Sequence, residues 1–209
     1  MLNENLNIHH LAAVVGGSMG GLQAMQWAVS YPDYMDKVVA IEASPKLCSY
    51  DLLWMHTYIE AVKSDTAYHG GNYTVNPSSP LAVHLTQLLL TTPAIVNNTV
   101  PVDSFSTWLA SLEKINPFTV DCNNFLWQTK AVMMHDITRA AGSMENTAKM
   151  IKAKMLIIAN KQDHVINQSL SIRFAAMANA ELVVMDDDLG HLIFNEKIPI
   201  EATRKFLSQ

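Results

Sequence analysis

Apolar and polar positions fall into two rhythms that alternate along this chain. Residues 11–15 (Leu-Ala-Ala-Val-Val) form an unbroken apolar run ending in Gly16-Gly17. Residues 37–41 (Lys-Val-Val-Ala-Ile) repeat that signature between the turn-like Pro32-Asp33 and the breaker Pro45. Continuous apolar runs of this length suit strands covered on both faces, as in a parallel sheet between helical layers. Residues 22–31, rich in helix formers and closed by Pro32, predict a helix between the two strands. The same order returns near the end of the chain. Residues 155–159 and 181–185 read as strands, 168–179 as a helix between them, and 199–207 as a closing helix.

The intervening stretch has a different character. Residues 52–63, 80–90 and 104–115 carry helix-like amphipathic patterns separated by Pro, Gly and Asn clusters, and no segment there reads convincingly as a strand. The expectation is a single α/β domain over residues 1–209. Its core of 8–46 and 151–209 holds a mostly parallel sheet flanked by helices, and residues 47 to about 150 form an inserted helical cap.

Composition narrows the class. A length of 209 residues can bury a substantial single core, and 49% hydrophobic with 16% charged residues describes a globular chain rather than a disordered one. A net charge of −5 supplies no basic stripe, which argues against a nucleic-acid partner and offers no general attraction for an anionic cofactor. The most apolar long stretch, residues 81–96, is broken by His84, Gln87 and Pro93, short of the roughly 20 apolar residues that a membrane span needs. The first ten residues lack the basic start and apolar core of an export signal. Cys48 and Cys122 lie far apart with no Cys-x-x-Cys spacing. A soluble, cytoplasmic protein with reduced thiols is expected, with no membrane partner. His9, His10, His56, His84, His135 and His164 show no metal-ligand spacing, so no metal and no bound cofactor are expected.

Chemistry enters at Gly16-Gly17-Ser18-Met19-Gly20-Gly21, a Gly-x-Ser-x-Gly pattern placed between a predicted strand and a predicted helix. Such a turn would hold the Ser18 hydroxyl out from the sheet, with Gly16 and Gly20 where neighbouring backbone comes too close for a Cβ. The Met19 backbone N–H, at the start of the helix, would donate to an oxyanion. Nucleotide readings fail, because Ser18 stands where a dinucleotide fingerprint needs its second glycine and no Gly-Lys-Ser/Thr follows.

A nucleophilic serine needs a base and an acid. Asp163 follows the predicted strand 155–159 and His191 follows the strand 181–185, in the order Ser, Asp, His that this kind of elbow uses. His191 would take the Ser18 proton, and Asp163 would fix the imidazole tautomer. The bland alternative for Asp163 is a helix cap, and the rival acid is the run Asp186-Asp187-Asp188. His69-Gly70-Gly71-Asn72 looks like a lipase oxyanion loop but follows the nucleophile instead of preceding it, so it reads as a cap turn.

The elbow segment, residues 13–32, resembles that of the homoserine O-acetyltransferase family, a branch of the α/β-hydrolase superfamily. Further likenesses are Gly70-Gly-Asn-Tyr73, Asp121-Cys-Asn-Asn-Phe-Leu-Trp-Gln-Thr129 with His135-Asp136, and the segments bearing Asp163 and His191. The resemblance implies an acetyl group taken from acetyl-CoA by Ser18 and passed to the hydroxyl of homoserine, with Asp163 and His191 as acid and base. It also implies a homodimer joined through the helical cap.

Two departures qualify what it implies. The arginine-bearing stretch of the family is replaced by residues 81–92, which contain no Arg or Lys, leaving Arg139 as the candidate for a substrate carboxylate. Family members also carry a long segment before the elbow, with the first strands and the loop that gives a second oxyanion donor. Only about ten residues precede the elbow strand here, which predicts a fragment whose strand 11–15 is a hydrophobic edge. An ester or thioester hydrolase and a non-catalytic interaction module are the alternatives.

Overall fold

The computed structural model describes residues 2–114 and 121–209; of the predicted segment 104–115, Ile115 lies outside them. Four strands, β1 (Leu11–Gly17), β2 (Met35–Ile41), β3 (Lys154–Asn160) and β4 (Glu181–Met185), form one parallel sheet in the order β1-β2-β3-β4. A short helix α1 (Leu2–Leu6) precedes β1, and α2 (Met19–Ser30) joins β1 to β2. Five further helices lie between β2 and β3 before the last, α8 (Met144–Met150): α3 (Ser49–Ser64), α4 (Pro80–Leu90), α5 (Pro93–Thr99), α6 (Phe105–Leu112) and α7 (Cys122–Met133). After β3, α9 (Ser169–Met177) leads to β4, and α10 (Lys197–Ser208) closes the chain.

The unbroken apolar strands have a direct physical reason. On one face, Val38, Ala40, Met155 and Ile157 pack with Met25 and Ala28 of α2 and Phe174 of α9. On the other, Val39, Ile41, Leu156 and Ile158 pack with Ile193 and Phe206 of α10. Alternate residues of β2 and β3 therefore meet two different apolar layers, which removes any polar beat from their sequence. β1 is different. It pairs with β2 alone, so it forms a sheet edge, and Val15 is 48% exposed on it. The hydrophobic edge expected from the sequence is present in the described residues.

Local sequence sets the helix starts of the insert. Asp51 accepts the Cys48 N–H at 2.9 Å across the first turn of α3. Ser79 caps α4 ahead of Pro80, whose missing N–H costs nothing at that position. Asp121 accepts the Asn124 N–H at 3.1 Å at the start of α7. Tyr58, Ile59, Val62, Ala82 and Leu126 then close a separate apolar cluster among α3, α4 and α7.

That cluster is fastened to the sheet domain by hydrogen bonds to the loop after β3. The second carboxylate oxygen of Asp51 accepts the Asn167 N–H at 3.0 Å, and the Trp54 indole donates to the Val165 carbonyl at 2.7 Å. Asp51 is fully buried. Replacing it with Ala strips the Cys48 and Asn167 amides of their acceptor, a loss of about 2 kcal/mol at roughly 1 kcal/mol per bond. Thermal unfolding of Asp51→Ala is expected about 4–8 °C below the parent, and an unchanged midpoint would show that these bonds do not fasten the cap.

Candidate active site

A single residue, Ser18, separates the end of β1 from the start of α2, with φ 51° and ψ −123°. A side-chain-bearing residue in that region stores on the order of 1–3 kcal/mol, so the surroundings must hold it there. The Ser18 N–H donates to the Ile41 carbonyl at 2.9 Å, and its carbonyl accepts the Leu22 N–H at 3.0 Å. A Cβ on Gly16 would sit 2.1 Å from the Gly20 carbonyl oxygen. At Gly20 itself a Cβ would meet open space, which corrects the expectation that both glycines are sterically required. Gly17 and Gly21 are crowded as well: a Cβ would lie 2.7 Å from the Phe194 ring at the first and 2.7 Å from the Ala43 Cβ at the second. Met19 opens α2, where backbone N–H groups have no acceptor within the helix.

The Ser18 hydroxyl lies 2.7 Å from His191 Nε2, and His191 Nδ1 lies 2.8 Å from Asp163 Oδ2. His191 and Asp163 are both buried. Asp163 Oδ1 accepts the N–H groups of Val165 and Ile166 at 2.7 and 3.1 Å, and Gln168 donates to Oδ2 at 2.9 Å. The two readings of this residue from sequence thus coexist, one oxygen closing the turn and the other facing the histidine. Burial alone would raise its pKa. The His191 hydrogen bond and charge, the neighbouring Glu42 carboxyl and the Ile166 amide outweigh burial and hold the carboxyl below the usual carboxylate range.

His191 sits in the turn Gly190–Asn195, its ring edge-on to Phe194 at 5.4 Å. Asn160 fixes this turn to the end of β3, donating to the carbonyls of Asp187 and Gly190 at 2.8 and 2.7 Å. The rival acids point elsewhere: Asp186 accepts from Gln162, Asp187 from the Leu189 N–H, and Asp188 from Thr92.

Glu42 was not singled out from the sequence. It follows β2 directly, is fully buried, and accepts the Asn160 N–H at 2.7 Å through Oε1. Burial, followed by the close approach of Asp163 and the like charge there, pushes its pKa up to about 11. A carboxylate at the end of an apolar strand, Val-Val-Ala-Ile-Glu-Ala, was the available signal. Oxygens of Glu42 and Asp163 and a ring nitrogen of His191 lie within 4.8 Å of one another, the one grouping with metal-ligand spacing among the described residues. A metal there would have to break the 2.8 Å hydrogen bond between Asp163 and His191, so the donor set fits proton chemistry better.

Two cavities of about 220 Å³ each open beside Ser18, and Trp54, Phe125, Thr129 and Val165 line both. Their walls are mostly apolar. Arg139 is not among the lining residues. It is exposed in the turn after α7, where its guanidinium reaches back to donate to the Met134 carbonyl, which corrects its expected place beside the substrate. The His69–Gly71 turn belongs to the cap, as its left-handed φ values and the bond from Asn123 to the Gly71 carbonyl show.

Glu42 also sets a pH dependence. Its pKa rises from an ordinary 4.5 to about 11 on folding. A raised pKa means stability that is complete below pH 4.5 and lost as pH climbs toward 11. Asp163 acts only below its ordinary range, so it does not oppose this trend between pH 5 and 9. Stability measured by denaturant unfolding is expected to fall across that window. In Glu42→Gln the slope should flatten by on the order of 1 kcal/mol per pH unit. Equal slopes in the two proteins would contradict a neutral Glu42.

Comparison with known proteins agrees with this architecture. The chain is 36% identical to a homoserine O-acetyltransferase of Methanosalsum zhilinae over 225 residues, covering 92% of this chain and 44% of that protein. It is 29% identical to a homoserine O-succinyltransferase of Acinetobacter baumannii, covering 99% of this chain and 61% of that protein. It therefore spans about half the length of the curated relatives it matches. The crystal structure of a homoserine O-acetyltransferase from Bacillus anthracis superimposes with a TM-score of 0.89 at 24% identity, over 100% of this chain and 62% of that one, a likeness of fold. The family model described as the alpha/beta hydrolase fold matches residues 2–198, and the chain belongs to that family.

Proposed function

We propose that this chain carries the serine site of a homoserine O-acyltransferase, working through an acyl-Ser18 intermediate. The observation that carries the reading is the continuous hydrogen-bond chain from the half-buried Ser18 Oγ through buried His191 to buried Asp163.

Ser18 Oγ attacks the acyl carbonyl of acetyl-CoA as His191 Nε2 takes the hydroxyl proton. Asp163, ionised, holds the Nδ1–H tautomer and stabilises the imidazolium. The Met19 N–H supports the oxyanion, aided by the positive end of α2. Collapse breaks the thioester C–S bond, and the imidazolium returns its proton to the departing thiolate. The homoserine hydroxyl then attacks the acyl-serine while His191 removes its proton. The second collapse releases the ester and restores the Ser18 hydroxyl. The relatives' names support the acceptor and leave the acyl group as acetyl or succinyl. The apolar cavity walls beside Ser18 favour the uncharged acetyl group. Dimerisation through the cap belongs to the same proposal; Leu88, Phe105 and Trp127 are exposed there.

A fluorophosphonate probe should add to Ser18, as read by mass spectrometry of the intact chain and its peptides. His191→Ala should label at least about 10³-fold more slowly. A folded chain that gains no adduct would replace the enzymatic reading with that of an interaction module. With acetyl-CoA, the expected products are free CoA thiol and, when homoserine is present, its O-acetyl ester. Acetate without the ester would make water the acceptor and turn the assignment to a hydrolase.

A further inference from the structure

We infer that Glu42 is a positioning residue of the serine site: its neutral carboxyl, set against Asp163, keeps that carboxylate ionised and turned to His191. The inference rests on the reading of Ser18 as the nucleophile.

Three observations place it. The backbone at Glu42 enters the left-handed region, φ 49°, while its N–H stays bonded to the Ile158 carbonyl at 2.9 Å, so the side chain is delivered inward from the end of the strand. Oε1 takes the amide of Asn160, the residue whose side chain also holds the histidine turn. Oε2 is buried with no hydrogen-bond partner, and one carboxyl oxygen of Glu42 lies within 4.8 Å of an Asp163 oxygen and a His191 ring nitrogen. The titratable groups facing it are Asp163 from the loop after β3 and, beyond it, His191 from the turn after β4. No Lys or Arg is ion-paired with Glu42 or Asp163 among the described residues.

Two carboxylates this close in a dry interior cannot both stay charged without a cation. Asp163 has backbone, amide and imidazole donors, and Glu42 has a single amide, so the charge settles on Asp163. A protonated Glu42 then offers an O–H dipole where Asp163 carries negative charge. The effect on His191 has a definite sign. Removing the dipole makes Asp163 more basic and the imidazolium more stable. Removing a second charge, were Glu42 ionised, would make the imidazolium less stable.

The test is the rate of fluorophosphonate labelling of Ser18 against pH in the parent chain, Glu42→Leu and Glu42→Gln. The acid limb should move up by about one pH unit in Glu42→Leu, where no donor remains. In Glu42→Gln, whose amide replaces the donor without a charge, it should stay in place. A downward move in either variant would mean an ionised Glu42 and overturn the inference, as would unmoved limbs in both. Infrared spectra of the parent chain and Glu42→Gln at neutral pH give a readout that does not require the Leu variant to fold. The carbonyl stretch of a protonated carboxylic acid should be present in the parent and lost in Glu42→Gln; its absence from the parent overturns the inference. A parent chain that shows this band but takes no probe would instead defeat the nucleophile assignment.

Discussion

Only one residue stands between β1 and α2, and the whole site depends on the closeness this forces on the backbone. A strand can turn into a helix in one step only if the helix's first turn lies against the strand's last residues. The contact between Gly16 and the Gly20 carbonyl, too short for any Cβ, is where that happens. Ser18 is consequently held at a positive φ no serine would choose, with its hydroxyl beyond the sheet's C-terminal edge. The strain is small against the packing around it. Met25, Ala28 and Val38 bury the helix on the sheet, and that burial fixes the distance from Ser18 to everything else.

The parallel order of the sheet then brings the other groups to the same edge. Glu42, Asn160 and Met185 end or follow adjacent strands, so their loops emerge side by side. Asn160 converts that adjacency into geometry, its amide N–H bound to Glu42 and its side chain to the turn bearing His191. Loops fastened in this way hold two hydrogen bonds, 2.7 and 2.8 Å, between residues 173 and 28 positions apart in sequence. Charge is distributed by the same logic. Asp163 is ionised because donors surround it, and Glu42 is neutral because burial leaves its charge unsupported.

The legible parts of the chain were those where local chemistry and long-range packing agree. The runs at 11–15, 37–41, 155–159 and 181–185 correspond to β1–β4; in the central β2 and β3 the run is unbroken because strands covered on two faces tolerate no polar beat. Ser18, Asp163 and His191 could be read because each follows a strand in an order that only one sheet edge satisfies. Glu42 escaped because its one local signal, an acid at the end of an apolar strand, does not say what it faces; its meaning comes from Asp163, 121 positions away. Arg139 was misplaced for the opposite reason. With no Arg or Lys in residues 81–92, the one arginine left in the cap looks like a binding group, yet the Met134 carbonyl at the end of α7 takes its guanidinium. Steric demand was assigned to Gly20 rather than to Gly17 and Gly21 because a motif shows which positions are glycine, not which side of each is crowded.

The loop after β3 joins substrate space to proton chemistry. Asp163 sits on it, and two residues later the Val165 carbonyl takes the indole N–H of Trp54, which lines both cavities. Four residues after Asp163, the Asn167 amide is held by Asp51 on the same cap helix. A shift of α3 relative to the sheet therefore cannot enlarge the cavity without pulling on the loop that orients the acid. Because Asp163 Oδ1 is committed to the amides of Val165 and Ile166, such a pull acts on the carboxylate facing His191. Cavity width and imidazole alignment are mechanically linked, and a cap remodelled to widen the cavities must preserve the Trp54 and Asp51 anchors or rebuild the acid's turn as well.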